Sequence, residues 1–261
     1  MHIRKNILLL VFLLFALHKG FSQFSHQLGL IGGPVAFQSD YGEDKNFDNI
    51  KGNLGFSIGV IHYMNLALNA DCDCFNRYTY FNDHFMIRNE FIYMQSKLDH
   101  FGQWVSPEYT SLTADQLRAM HGEMKTLSVG SQLEYYPVPL REFLSGNYVF
   151  VPYASLGFQA NYYFPRNYSD LGNIETQPEE TLPVKYQNGQ LNNGSGIVMS
   201  AIGNVGIKVK ITRDSDLMVD LRYQYYFSDW VDGMRPDPDV YTENQNNDTS
   251  VSLSLGYIFY L

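Results

Sequence analysis

The stretch Leu217-Met-Val-Asp-Leu-Arg-Tyr-Gln-Tyr-Tyr-Phe227-Ser228 decides the fold. In an extended chain successive side chains point to opposite faces. Leu217, Val219, Leu221, Tyr223, Tyr225 and Phe227 therefore share one face, and Asp220, Arg222, Gln224 and Ser228 the other. The alternation outlasts an ordinary strand of about 5–6 residues, and its apolar face ends in clustered aromatics. A long strand, apolar on one side, polar on the other and capped by an aromatic girdle, is the sequence form of a membrane-spanning β-strand.

The pattern recurs along the chain. Leu54, Phe56, Ile58 and Val60 alternate with Gly55, Ser57 and Gly59. Leu127, Val129, Leu133 and Tyr135 alternate with Ser128, Gly130, Gln132 and Glu134. Ala154 to Tyr162 and Val251 to Leu261 repeat it, the latter with Tyr257 and Phe259 as its aromatic end. Weaker examples are Gln27–Phe37, His84–Leu98 and Ile197–Ile211. The count is eight, an even number as single-chain bacterial barrels require. A ten-stranded arrangement needs a hidden hairpin within 166–195. A soluble sandwich also alternates, but its solvated face ordinarily carries Lys and Glu rather than the Gly, Ser and Gln found here. The expectation is an all-β chain: an eight-stranded antiparallel up-and-down transmembrane β-barrel with long extracellular loops.

Composition agrees. Among 261 residues, hydrophobic ones make up 45%, aromatics 15% and charged ones only 17%, where soluble domains carry about 25% charged residues. The aromatic content excludes intrinsic disorder. The formal net charge of −9 opposes nucleic acid as a partner, since phosphate binding needs a basic face.

The N-terminus reads as a secretory signal peptide over residues 1–22. Arg4 and Lys5 precede an apolar run, Ile7–Leu17, and Gly20 and Ser22 are small residues before a cut at Gln23. The run is too short for a membrane anchor, which needs about 20 apolar residues. Residues 23–261 are then one outer-membrane barrel domain. A Phe-Ser-Gln ending resembles signal peptides of Bacteroidota. At the other end, Ser254-x-Gly256-x-x-Phe259-x-Leu261 resembles the β-signal read by the barrel-assembly machinery, which implies that machinery as a partner and the outer membrane, with its lipid and lipopolysaccharide, as the location.

With both termini periplasmic, the outer connections are 38–53, 99–125, 165–195 and 229–248, and the inner ones 67–83, 137–147 and 212–216. Eight strands enclose room for side chains or one small ligand. The inward charges Arg88, Glu90, Glu134, Lys208, Lys210, Asp220 and Arg222 therefore read as an internal salt-bridge network, because a buried charge needs a partner. An ion path or proton relay is the functional alternative.

Other candidate sites are weaker. Asp71-Cys72-Asp73-Cys74 offers two thiols and two carboxylates, for a local disulfide, a bond to a partner or a metal, with His62 and His84 as neighbours in sequence. Which metal, if any, is left open. Loop acids Asp40, Glu43, Asp44 and Asp48, and Asp229, Asp232, Asp237, Asp239 and Glu243, read as a solvated acidic face without EF-hand spacing. Within 99–125, Thr113 and Gln116 read as a capping box, Leu112 and Leu117 as a staple and Gly122 as a helix stop, with Ala114, Leu117 and Met120 as an apolar stripe. No zinc-protease helix, nucleophile elbow or phosphate loop is present, so the reading is non-enzymatic and without cofactor.

Gly206-Ile-Lys-Val-Lys-Ile211 and Leu221-Arg-Tyr-Gln-Tyr-Tyr-Phe227-Ser-Asp229-Trp-Val-Asp232-Gly233 together resemble a segment of the PorG-like outer-membrane barrels of Bacteroidota. There a Lys-bearing strand and a tight turn lead to an aromatic strand running into Thr-Asp-Tyr-(x)-Asp-Asp. Here Ser228 and Trp230 replace the Thr and Tyr, and Gly233 the second Asp. The resemblance implies a barrel tied to the type IX secretion or gliding apparatus, with a periplasmic or outer-membrane protein partner. The residues alone leave two classes open: a structural or accessory barrel of an envelope machine, and a small channel or ligand-binding barrel.

Overall fold

The computed structural model describes residues 25–42, 47–65, 79–241 and 246–261. The predicted signal peptide, Cys72 and Cys74 lie outside them, as do Glu43, Asp44 and Glu243. Eight antiparallel strands close on themselves: β1 (Ser25–Gln38), β2 (Leu54–Asn65), β3 (Phe85–Asp99), β4 (Met120–Tyr135), β5 (Phe150–Ser169), β6 (Gly196–Thr212), β7 (Ser215–Tyr226) and β8 (Thr249–Tyr260). Each pairs with its neighbours in sequence, and β8 pairs back onto β1, with Gln27 opposite Tyr260. Closure satisfies every strand edge, which a lipid environment demands.

All eight expected strands are present, and 166–195 holds no ninth and tenth. The strands run further than the alternation suggests. β5 is 20 residues long, and residues 120–125 and 165–169, read from sequence as loop, belong to β4 and β5. Main-chain pairing carries a strand past the point where its side chains stop alternating in polarity.

The outer surface is apolar. Leu30, Ile58, Val129, Phe158, Leu156 and Leu255 are exposed, Leu156 by 75%. A soluble protein does not present so large an apolar surface; in a bilayer these groups are solvated by acyl chains. Phe85, Tyr135, Tyr257 and Phe259 ring the periplasmic end, and Phe85 and Tyr135 are paired cross-strand. No described helix is long and apolar enough to cross a membrane; the chain crosses with strands, as an outer-membrane barrel.

The β6–β7 connection is the tight turn expected, with Thr212 Oγ1 and Ser215 Oγ 2.7 Å apart. Short helices lie in other connections: α1 (Phe47–Gly52), α2 (Tyr80–His84), α3 (Leu112–Ala119) and α4 (Leu140–Leu144). At α3 the sequence reading needs correction. The N-cap is Ser111, whose Oγ accepts from the Ala114 amide at 3.2 Å. Thr113 is inside the helix, and Gln116 donates to the Glu179 and Glu180 carbonyls instead of closing a capping box. Gly122 stops nothing, since β4 begins at Met120. The expected apolar stripe does turn inward: Ala114 and Met120 are buried, and Leu117 packs against the same cluster as Met120.

The assembly-signal residues occupy β8. Ser254 and Gly256 face inward, while Phe259 and Leu261 are exposed. Gly256 answers to close packing: a Cβ there would meet Ile31 at 2.8 Å and Met218 at 2.9 Å.

Candidate functional site

The barrel interior is stratified. Inward positions at the middle of the strands are polar, and those toward both ends are apolar. On β3 the inward series is Met86, Arg88, Glu90, Ile92, Met94, Ser96 and Leu98, so the rule of apolar outside and polar inside holds only for the central layers.

The central layer joins the charges picked out by the alternation. Arg88 is completely buried and touches three carboxylates: Glu90 at 3.1 Å, Glu134 at 3.3 Å and Asp220 at 2.7 Å. Arg222 reaches Glu90 at 2.5 Å, and Lys208 reaches Glu134 at 2.9 Å. Three cations thus face three carboxylates, and the layer is neutral. Buried charges of this kind are tolerated only with such pairing and with hydrogen bonds to the remaining lone pairs. Those bonds come from residues the sequence reading did not single out. Tyr63 Oη donates to Glu134 at 3.1 Å, Tyr153 Oη to Asp220 at 2.9 Å and Asn204 Nδ2 to Asp220 at 3.1 Å. Tyr136 also binds Glu134, and Gln159 binds Glu90. The Lys208 ammonium lies 3.6 Å from the centre of the Tyr63 ring, a cation–π contact. Above this layer, Asn161 links Ser128, Ser200 and Gln224 through bonds of 2.7–3.0 Å.

Lys210 is the exception among the seven. It lies nearer the periplasmic end and pairs with Asp216 at 3.0 Å, a carboxylate also held by Tyr260.

Below the charges an apolar stopper closes the barrel. Helix α4 turns Leu140 and Phe143 inward against Ile61, Met86, Tyr136 and Val151. The inner connection 137–147 is therefore partly a plug, because its apolar residues find a dry volume at that end. Arg141 Nε bonds Asp83 Oδ1 at 2.7 Å and ties this plug to α2. The histidines read as possible metal neighbours are engaged elsewhere. His84 Nδ1 is 2.6 Å from the Tyr136 carbonyl, and His62 Nε2 is 3.0 Å from His26 Nδ1. Among the described residues no group of three or more His, Cys, Asp or Glu gathers as a metal site.

Above the charges a second apolar cluster, including Phe37, Met94, Leu98, Met124 and Tyr226, continues into the folded outer loops through Leu182, Tyr186, Val231 and Met234. Here the expectation of a solvated acidic face fails in part. Asp40, Asp232 and Asp248 are buried. Asp232 Oδ2 accepts from the Asp40 amide at 3.1 Å and its Oδ1 from the Met234 amide at 2.7 Å. Asp248 Oδ2 accepts from the Val231 amide at 2.9 Å. These carboxylates serve as main-chain anchors for the loop cap, which sequence periodicity does not register. Burial, then the neighbouring Asp40 charge, pushes Asp232 well above the usual carboxylate range; burial, then Asp232, does the same to Asp248. Asp229 is pushed up to about 8 by burial and by Asp40. Asp239 is exposed, as expected, while Asp237 is half-buried. Gly233, which departs from the resembled motif, has φ +84° and is pressed against Asn167 and Asn192; a left-handed backbone at that contact suits glycine and no bulkier residue.

Neither a protein-family model nor a curated protein matches the sequence. Among solved structures, the chain is similar to Neisserial surface protein A at 14% identity, covering 90% of this chain and 96% of that one with a TM-score of 0.44. It is similar to a major outer membrane protein from Thermus thermophilus at 11% identity, over 90% and 99% of the two chains, TM-score 0.46. It is also similar to Ail, the attachment invasion locus protein of Yersinia pestis, solved with the heparin analogue sucrose octasulfate, at 13% identity over 92% and 99%, TM-score 0.40. At these values the assignment of the chain as an eight-stranded outer-membrane β-barrel rests on its own strand closure and apolar exterior.

Proposed function

We propose that the chain is a non-conducting, non-enzymatic scaffold of the outer membrane, an accessory component of an envelope machine. The observation that supports it is the filled lumen: a neutral layer of Arg88, Glu90, Glu134, Lys208, Asp220 and Arg222 lies between two apolar stoppers. A channel keeps a wet path and exposed charge along it, whereas here the charges are spent on one another. What remains available to partners is the outside, meaning the folded loop cap above and the linked α2 and α4 below, where Tyr80 and Phe81 are exposed. The further assignment, to a type IX secretion or gliding apparatus, rests on the resemblance of residues 206–233 to PorG-like barrels.

Refolded protein in a planar bilayer is expected to give no steady unitary current; reproducible conductance altered by Arg222→Ala would replace this reading with the small-channel one. Crosslinked pull-down from native outer membranes is expected to recover a defined envelope partner, lost in Tyr80→Ser/Phe81→Ser. Recovery of the same partner by that variant would remove the periplasmic contact from the proposal.

A further inference from the structure

The strands carry few cations, and their placement is uneven. Arg88, Lys208, Lys210 and Arg222 face inward. The outward ones are Lys97, Lys125 and Arg166, and all three lie on the adjacent strands β3, β4 and β5. They are also neighbours in register: Lys97 is opposite Glu123, and Glu123 is opposite Arg166, with Lys125 two residues further along β4. Residues directly opposite on antiparallel strands stand about 5 Å apart, so the three cations encircle one carboxylate. Glu123 is already engaged, by Lys125 at 3.1 Å and by Gln95 Nε2 at 2.6 Å. Lys97 and Arg166 are exposed and enter no ion pair among the described residues. The next acids outward, Asp99 and Asp170, are bound to His121, and no ion pair joins them to Lys97 or Arg166 among the described residues. Between these groups is a cavity of about 420 Å³ lined by Lys97, Asp99, His121, Glu123, Arg166 and Tyr168.

The height of this patch identifies what it meets. Measured from the periplasmic Phe85–Tyr135 pair, Lys125 is ten residues along β4 and Lys97 twelve along β3. At a rise of about 3.3 Å per residue and a tilt of about 40° the patch stands about 25–30 Å up, the thickness of the apolar band of such barrels. Immediately below it on the outer face are Tyr93, Leu127, Tyr162 and Phe164. The cations therefore project sideways, at the level where hydrocarbon gives way to headgroups, and not upward into the medium.

We propose that the outer wall of β3–β5 is a binding site for the phosphorylated headgroup of an outer-leaflet lipid, with Lys97 and Arg166 as the phosphate ligands, Lys125 in support and the aromatic groups beneath them against the acyl chains. Arg provides a forked, two-bond fit to phosphate and Lys a point charge. This inference rests on the outer-membrane placement and not on the scaffold role, so the conductance and pull-down results leave it untouched.

The test uses the full mature barrel, refolded in detergent and checked by its heat-modifiable mobility. Native mass spectrometry reads retention of bisphosphorylated lipid A, of the same lipid with both phosphates removed, and of inorganic phosphate. The bisphosphorylated lipid is expected to be retained and the other two not. Each basic side chain near an anionic surface contributes about fivefold, so Lys97→Gln/Lys125→Gln/Arg166→Gln is expected to weaken retention on the order of a hundredfold. Lys51→Gln, an exposed cation in α1, is expected to change nothing. If the triple variant misfolds, Lys97→Glu/Arg166→Glu takes its place with the same expectation. Equal retention of the dephosphorylated lipid, undiminished binding by a folded charge variant, or full competition by inorganic phosphate would each overturn the site as a lipid site.

Discussion

In the lumen, Glu90, Glu134 and Asp220 each touch an arginine or a lysine; at the extracellular mouth, Asp232 and Asp248 are held by backbone amides, and no ion pair reaches them among the described residues. Both regions are buried, and both bring carboxylates together. The lumen meets the cost of desolvation with opposite charge, and its carboxylates are held fixed by those partners. At the mouth, burial and neighbouring carboxylates push Asp232 and Asp248 well above the usual carboxylate range, which makes the cap responsive to pH. The same residue type gives a rigid element in one place and a titrating one in the other, and the partner decides which.

The largest break in that contrast is Arg88→Leu. It leaves three buried carboxylates short of their common partner, and removing one side of a buried pair costs about 3–5 kcal/mol. Urea unfolding in micelles is expected to show that loss; a change within about 0.5 kcal/mol would mean the layer is wetter than its burial implies. A smaller effect separates pairing from burial. Lys208→Met alone is expected to destabilise by about 2–3 kcal/mol, and Lys208→Met/Glu134→Gln by less, since the double variant leaves no unpaired charge of that couple. Additive losses would refute direct coupling.

At the mouth the sign reverses. Asp229 has its folded pKa raised to about 8, above an unfolded value of about 3.9. Its stabilisation of the cap is therefore full at pH below about 4 and is lost as pH rises through about 8. Asp232 and Asp248 act in the same direction. In a Trp104→Phe background, Trp230 emission is expected to shift as the cap loosens between pH 7 and about 9, and Asp232→Asn/Asp248→Asn to suppress most of that shift. A flat wild-type profile would show that the carboxylates are not protonated at neutrality. The smallest expected effect is Ser111→Ala, which removes the α3 cap for about 1 kcal/mol, read as faster exchange of the Ala114 amide with the barrel's unfolding midpoint unchanged.

The contrast also marks the limit of what the sequence discloses. Strand number, facing and the seven inward charges were legible, because a period of two is local and membrane solvent enforces it. Pairing was not: Arg88 on β3 and Asp220 on β7 meet across the lumen, and nothing in either strand names the other. Tyr136, just beyond β4, offers no alternation to reveal it as a ligand of Glu134. The apolar inward residues Met94, Leu98 and Met124 contradict the simple rule because loops dry the upper barrel. Burial of Asp232 depends on the same event, the folding of 165–195 against the mouth through the Leu191–Met234 bridge, which is a property of tertiary structure.

Strand length has a consequence of its own. β5 has 20 residues and β4 and β6 have 16 and 17, against 12 in β2, β7 and β8. At about 3.3 Å per residue and a tilt of about 40°, β5 climbs about 50 Å, twice the apolar band. One flank of the molecule is a parapet and the opposite flank a low sill. A barrel of this kind, although nearly cylindrical within the bilayer, has a front and a back once seen from outside the cell. A neighbour drifting in the plane of the membrane meets a tall sheet on one approach and a shorter one, topped by loop residues such as Tyr41, Val231 and Met234, on the other, so the order in which this protein's sides are encountered is built into its strand lengths.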